Sequence, residues 1–362
     1  MKIDPFTRTP GVAGAAFIDM HYADEIIQNF QSDESSKYVY KIVGLRGSGK
    51  SVEYRKIVNA LSGKKNWLVY TLSAAGDPIT SLLAALNKEP FLRKPKTSST
   101  TTTGVSEEAN IAIVKGSADI AFSRTVEEDP NFFLAEVALT EMIQKANDNG
   151  YKVLVGVDDI AKTPEMVRFL SLWGSMLLDD RKKIYLVCTG LSKNIEEFAS
   201  EANLTFFKRS DLIEIGALDK FEMADMYRQL LDVNETEAAE MSKFTCGYAY
   251  AYQVLGSLYF KHPKPVSLQE LLPEFDKILF RDSYELIWAS LTQAEQTLVR
   301  CIVSSKTGSV TDIRSMMQNN KGYSSLRSRL DNKHLINTSK RGYISIDLPR
   351  FKDYVLLWHD TD

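Results

Sequence analysis

The sequence predicts an α/β fold with a parallel sheet, followed by a helical region and then by a C-terminal module of three helices and a hairpin. Three observations carry this reading. Short, nearly all-apolar runs at 38–43, 152–157 and 184–188 read as strands buried on both faces, the mark of a parallel sheet. Helix-period segments at 132–147 and 164–178 alternate with them, as βα units require. From 218 onward the strand pattern stops and amphipathic helical stretches follow one another.

Taken in order, the run 38–43 is the first strand and leads into Gly44-Leu45-Arg46-Gly47-Ser48-Gly49-Lys50-Ser51, after which 52–61 reads as a helix beginning at Val52. A glycine-rich turn between strand and helix, closing on Gly-Lys-Ser, is a phosphate-binding P-loop. Its glycines let successive amides and the positive end of the helix face a β-phosphate. Lys50 supplies charge for the β- and γ-phosphates, and Ser51 a hydroxyl for Mg²⁺. Arg46 lies inside the loop with its side chain expected to point outward. The motif predicts a bound nucleoside triphosphate.

The run 67–72 alternates as a second strand, and the polar Ser/Thr tract at 94–104 precedes two alternating stretches, 110–114 and 118–123. Lys115-Gly116-Ser117 between them predicts a hairpin inserted at about 105–126, either an edge decoration or a partner-binding or oligomerising element. The strand at 152–157 ends on Asp158 and Asp159, at the sheet edge where a ligand would face. Asp158 is the expected Mg²⁺ ligand beside Ser51, and Asp159 the group that orients or deprotonates attacking water. Thr189 ends the next strand level with Asp158, a position for sensing the γ-phosphate. Arg209, before the strand-like run 212–215, carries a charge suited to phosphoryl oxygens of its own or a neighbouring subunit.

Beyond the sheet, 218–280 reads as four helices broken near Asn234, Gly247 and Pro263, a small lid. Helices at 293–304, 310–317 and 324–330 and short strands at 335–338 and 342–346 then spell a winged helix, with Thr292 and Glu295 forming a capping box. The expected domains are 1–216, 217–283 and 284–362.

At 362 residues with 44% apolar content the chain is long enough for two or three cores, and a net charge of −3 calls for neither a nucleic-acid nor a membrane partner as a whole. Locally the balance differs. From 289 to 341 nine Lys or Arg face three acids, and Arg327, Arg329, Lys340 and Arg341 fall on the expected recognition helix and wing. DNA contact there and packing against protein both stay open. Cys188, Cys246 and Cys301 show no C-x-x-C spacing, and no histidine pairs at metal spacing, so neither a disulfide frame nor zinc is expected. No run is long enough to span a membrane, and Met1-Lys2-Ile3-Asp4-Pro5 has no export core, so the cytoplasm is the expected compartment.

With the loop 44–51, Val155-Gly156-Val157-Asp158-Asp159, Thr189, the lid stretch 244–253 and the terminal stretch 341–349 in this order, the chain resembles the AAA+-related archaeal-type ATPases. These include the STAND signal-transduction ATPases, and the layout is similar to that of archaeal origin-recognition ATPases. The resemblance implies ATP or ADP and Mg²⁺ as ligands, with nucleotide-dependent rearrangement of lid and winged helix. The sequence departs from it in three places. Phe17-Ile18-Asp19-Met20 stands where relatives often carry Gly-Arg, leaving 5–22 to wrap the adenine in another way. Asp159 replaces the usual Glu, which favours a slow ATPase. Tyr248 stands where the lid approaches nucleotide, with no arginine in the local motif. The leading expectation is a nucleotide-controlled switch with a protein partner or homo-oligomer. A DNA-binding replication or regulatory ATPase with slow turnover, and a nucleotide-binding scaffold without hydrolysis, are the alternatives.

Overall fold

The computed structural model describes residues 3–34, 36–92, 130–179, 182–262, 265–317 and 322–359. The hairpin expected at about 105–126 lies outside the described residues. Five strands, β1 (Val39–Val43), β2 (Trp67–Leu72), β3 (Lys152–Val157), β4 (Ile184–Gly190) and β5 (Asp211–Glu214), form one sheet in the order β2-β3-β4-β1-β5. All four pairings are parallel, so every strand ends at the same edge. The α/β class and the parallel sheet are therefore as the apolar runs indicate.

Every residue of β1, β3 and β4 is buried, and period-2 alternation divides them between two cores. Tyr40, Ile42, Leu154, Tyr185 and Val187 pack on α1 (Tyr22–Gln31) and α2 (Lys50–Ser62) through Ile26, Phe30, Ile57 and Leu61. Val39, Val43, Val153, Val155, Leu186 and Cys188 face the other way. They meet α3 (Pro78–Leu86), α4 (Pro130–Asp148), α5 (Pro164–Met176) and α6 (Ser192–Phe198). Each buried Ile, Leu or Phe on these faces contributes about 1.5–3 kcal/mol, and both cores together fix α2 and the strand ends relative to one another. Lys41 points into the second core, where its ammonium donates to the Phe207 carbonyl at 2.5 Å and the Lys208 carbonyl at 3.3 Å, near the end of α7 (Thr205–Arg209). A buried cation is tolerable there because those carbonyls satisfy it.

Helices α8 (Lys220–Leu230), α9 (Glu235–Phe244), α10 (Ala249–Lys261) and α11 (Leu268–Leu279) follow. Side chains set the starts of three of them: Asp219 caps α8, Asn234 with Glu237 forms a capping box for α9, and Ser267 with Glu270 forms one for α11. A π-helical turn, Phe280–Tyr284, joins α11 to α12 (Glu285–Ala289). Next come α13 (Gln293–Ser304), which opens on the Thr292–Glu295 capping box, α14 (Val310–Met316), α15 (Tyr323–Asn332) and α16 (Phe351–Trp358). The segment between α15 and α16, where short strands are expected, makes two isolated antiparallel bridges: Tyr343 pairs with Ser309 ahead of α14, and Asn337 pairs with Ser345 within the segment. A single apolar cluster runs from Leu218 to Val355 and takes in Phe6, Ala16 and Ile18 from the N-terminal segment. Helices on both sides of residue 283 thus share one core.

Candidate phosphate-binding site

The loop 44–51 leaves β1 at the sheet edge where β3 and β4 also end. Gly49 caps α2 at φ 108°, and Gly47 turns the loop at φ 77°, both left-handed conformations that favour glycine. Inside the loop the Ser48 amide donates to the Leu45 carbonyl at 3.1 Å and the Val52 amide to the Gly49 carbonyl at 2.9 Å. The Ser48 hydroxyl is buried with no hydrogen-bond partner, an orphaned polar atom within the loop that leaves capacity for a ligand oxygen. Leu45 packs its side chain against the helical core beyond the sheet, while the Arg46 side chain is exposed, as expected.

The Lys50 ammonium donates to the carbonyls of Gly44 at 3.0 Å and Leu45 at 2.9 Å. Burial pulls it down to about 8; Asp159 and Asp158 oppose this and Arg46 adds to it. A desolvated ammonium in this position gains more from a polyphosphate than an exposed one would.

Asp158 begins where β3 stops, and one of its oxygens, Oδ1, accepts from two hydroxyls: Ser51 at 3.1 Å and Thr189 at 2.5 Å. Thr189 is 1% exposed and its hydroxyl oxygen in turn accepts from the Asp159 amide at 2.8 Å. Its carbonyl accepts from the Ile160 amide at 2.8 Å, so the ends of β3 and β4 are tied together. Asp159 is exposed at φ 55°, a left-handed conformation uncommon outside glycine, just after β3 ends. Ser51, Asp158, Asp159, Thr189 and Lys50 therefore meet at one place. Hydroxyl and carboxylate oxygens side by side are the donor set Mg²⁺ prefers.

Arg209 does not join them. Asp211 pairs with Tyr40 and Glu214 with Val43, so Arg209 precedes the edge at which β1 starts, whereas the phosphate loop follows Val43. About four residues of strand, ~13 Å, separate the two levels. The expectation that Arg209 serves the phosphates of its own loop is corrected by this register; its exposed side chain faces the opposite end of the sheet.

Contacts from the helical region complete the loop. The Tyr248 hydroxyl donates to the Arg46 carbonyl at 2.7 Å, and the Tyr250 amide to the Gly47 carbonyl at 3.1 Å. A methyl group at Gly47 would lie 2.5 Å from the Tyr248 oxygen and 2.9 Å from the Tyr250 Cβ. The N-terminal segment is strapped along α10: the Thr7 amide donates to Gln253 at 2.9 Å, and Tyr252 and Gln253 both donate to the Ala16 carbonyl. Ile18 is buried in the same core, and the segment reaches the phosphate loop at Met20, beside Gly49. Nearby, Asp19, His21 and Asp24 form a ligand-like group, but the Lys56 ammonium binds Asp19 at 2.5 Å and Asp24 at 2.8 Å and takes the cation's place. The aromatic residues of 244–253 signal the lid approach, but the role of Tyr250 has no sequence signal beyond its position.

Among the described residues no helix is long and apolar enough to cross a membrane. No family model and no curated protein sequence matches the chain. Solved structures do. The Walker-type ATPase of Pyrococcus abyssi is 13% identical over 93% of this chain and 96% of its own, at a TM-score of 0.60. The ORC2 protein of Aeropyrum pernix, solved as ADPNP and ADP complexes, is 12% identical over 94% of both chains, at a TM-score of 0.52. The chain shares its fold with these two proteins.

Proposed function

We propose that this protein binds Mg·ATP at residues 44–51, hydrolyses it slowly, and uses the nucleotide state as a switch. One observation carries the reading: a single Asp158 oxygen shared by the Ser51 and Thr189 hydroxyls, at the sheet edge from which the Lys50 loop also departs. Mg²⁺, held by Ser51 and Asp158, would supply charge neutralisation on the β- and γ-phosphates. Gly47 to Ser51 amides and Lys50 bind and orient the polyphosphate. Thr189 fixes the Asp158 carboxylate and the Asp159 backbone together, and Asp159 orients the attacking water and accepts its proton. An Asp there is one methylene shorter than Glu, which supports slow turnover. Arg209, at the opposite sheet edge, would act only on the phosphates of another copy.

The fold shared with nucleotide-complexed ORC2 supports the ligand class. Calorimetry on the full chain tests it: Mg·ATP and Mg·ADP should bind, and Lys50→Ala should weaken binding at least tenfold while Asp158→Ala abolishes turnover. No heat with the wild-type chain sinks the proposal; heat without turnover leaves a nucleotide-binding scaffold.

A second reading has its own observation. Helices α13 to α15 and the bridges that follow have the order of a winged helix, and Arg329, Lys340 and Arg341 are exposed on it, with Arg327 partly so. Such a face suits DNA phosphates. Duplex binding that weakens steeply with salt, and is reduced in Arg329→Ala and Lys340→Ala, would establish it.

A further inference from the structure

Two tyrosines, two residues apart, touch both the phosphate loop and the π-helical turn 280–284, which lies between α11 and the C-terminal helices. Tyr248 is 6% exposed, and its oxygen is 2.7 Å from both the Arg46 carbonyl and the Ser283 hydroxyl. The proton positions follow from valence. A carbonyl only accepts, so the single Tyr248 proton goes to Arg46, and Ser283, itself 2% exposed, donates to the Tyr248 oxygen. Tyr250 repeats the arrangement, its amide on the Gly47 carbonyl and its hydroxyl on Asp282 at 3.1 Å. The next residue of the turn, Tyr284, donates to the Pro349 carbonyl at 2.5 Å and packs its ring on Phe351 and Tyr354 of α16. Beside it Arg350 forks onto Asp276 of α11 at 2.6 to 3.2 Å.

We infer that Tyr248 is a positioning residue that reads the conformation of the phosphate loop through its backbone and passes it, by way of Ser283 and Tyr284, to the segment 349–355. This deepens the switch reading and rests on it. Tyr248 and Tyr250 meet the loop at backbone carbonyls and offer no charge to a phosphate, so the quantity sensed is the position of the Arg46 and Gly47 carbonyls. Those carbonyls belong to the same turn as Gly44 and Leu45, whose oxygens hold Lys50. A polyphosphate that draws Lys50 away shifts the turn, and Tyr248 cannot follow without disturbing Ser283, because both hydroxyls are buried and neither has a water alternative. Single π turns are uncommon and recur at functional sites, consistent with a segment that moves.

Hydrogen exchange on the full chain, with and without saturating Mg·ADP, tests the relay. In the wild type, amides of 280–284 and 350–355 should change exchange at least severalfold on nucleotide addition. In Ser283→Ala, Mg·ADP affinity by calorimetry should stay within about twofold, because the loop contact at Arg46 remains, while the change at 350–355 disappears. Tyr248→Phe should lose the same response and weaken Mg·ADP about three- to tenfold. A purely structural role predicts lower melting temperatures with the nucleotide-induced difference intact, and that result, or a wild type that binds nucleotide with no change at 350–355, overturns the inference. Absence of binding in the wild type overturns the function above as well.

Discussion

The sheet edge and the helical core beyond it handle polar groups in opposite ways. At the edge, Lys50, Ser51, Asp158, Asp159 and Thr189 converge from three strand ends, and their hydrogen bonds tie loop to strand within a few ångströms. In the cluster from Leu218 to Val355 the polar groups are spread singly through an apolar mass: Glu295 with Lys333, Tyr248 with Ser283, Tyr284 with Pro349. The first arrangement concentrates charge for a ligand. The second holds separate segments in one relative placement, because each of these pairs joins groups far apart in the chain and is lost if one of them shifts. A converging polar site and a dispersed set of polar pairs thus meet at residues 46–47, through Tyr248 and Tyr250.

The largest expected effect lies at the edge. Thr189→Val keeps the side-chain shape but removes the hydroxyl that serves both Asp158 and the Asp159 amide. Turnover of Mg·ATP should fall about 10²–10³-fold with Mg·ADP affinity little changed, since the loop amides and Lys50 are untouched. A steady-state rate within threefold of the wild type would show that Thr189 only closes a turn.

The helical region should respond through stability. Glu295 is 1% exposed; burial pushes its carboxyl up, but Lys333 at 2.8 Å and the Thr292 amide and hydroxyl outweigh that and hold it below the usual range. A folded-state pKa below the unfolded one gives stability that is present above the unfolded pKa and is lost as the pH falls through the folded pKa. Lys333→Met leaves a buried carboxylate short of its cation and should cost about 3 kcal/mol at neutral pH. The gap to the wild type should narrow as the pH falls through the acid range, because the carboxyl without its lysine takes up a proton at a higher pH than the paired one. Urea titrations at pH 7 and pH 4 check this, and a gap that stays constant would place Lys333 outside the stabilising network.

The two regions were also unequally legible. The strands, the phosphate loop and the Thr292–Glu295 box are local patterns in which backbone period and short spacing carry the information, so Lys50, Ser51, Asp158 and Thr189 could be placed before any tertiary contact was known. Arg209 shows the boundary of that method. Residue type pointed to phosphate, whereas parallel strand direction, which puts a residue preceding β5 at the edge away from a loop following β1, pointed elsewhere. The bonds from Tyr248 to Arg46 and Ser283 span 202 and 35 residues, and a tyrosine among aromatic core neighbours carries no mark of what its hydroxyl will meet.

The meeting point of the regions can be probed with two glycines that differ in surroundings alone. Gly47 at φ 77° and Gly76 at φ 98° both occupy left-handed backbone, so alanine at either costs about 1 kcal/mol in strain. At Gly76 the added methyl meets nothing within 4 Å, whereas at Gly47 it meets the Tyr248 oxygen at 2.5 Å and the Tyr250 Cβ at 2.9 Å. The first is a hydroxyl already fixed by two hydrogen bonds and the second is close to backbone, so neither gives way without moving the start of α10. Gly47→Ala should therefore be about 1–2 kcal/mol more destabilising than Gly76→Ala in denaturant unfolding. Equal losses in the two variants would mean that the lid yields freely at the loop, and that the sheet edge and the helical core are not held in register there.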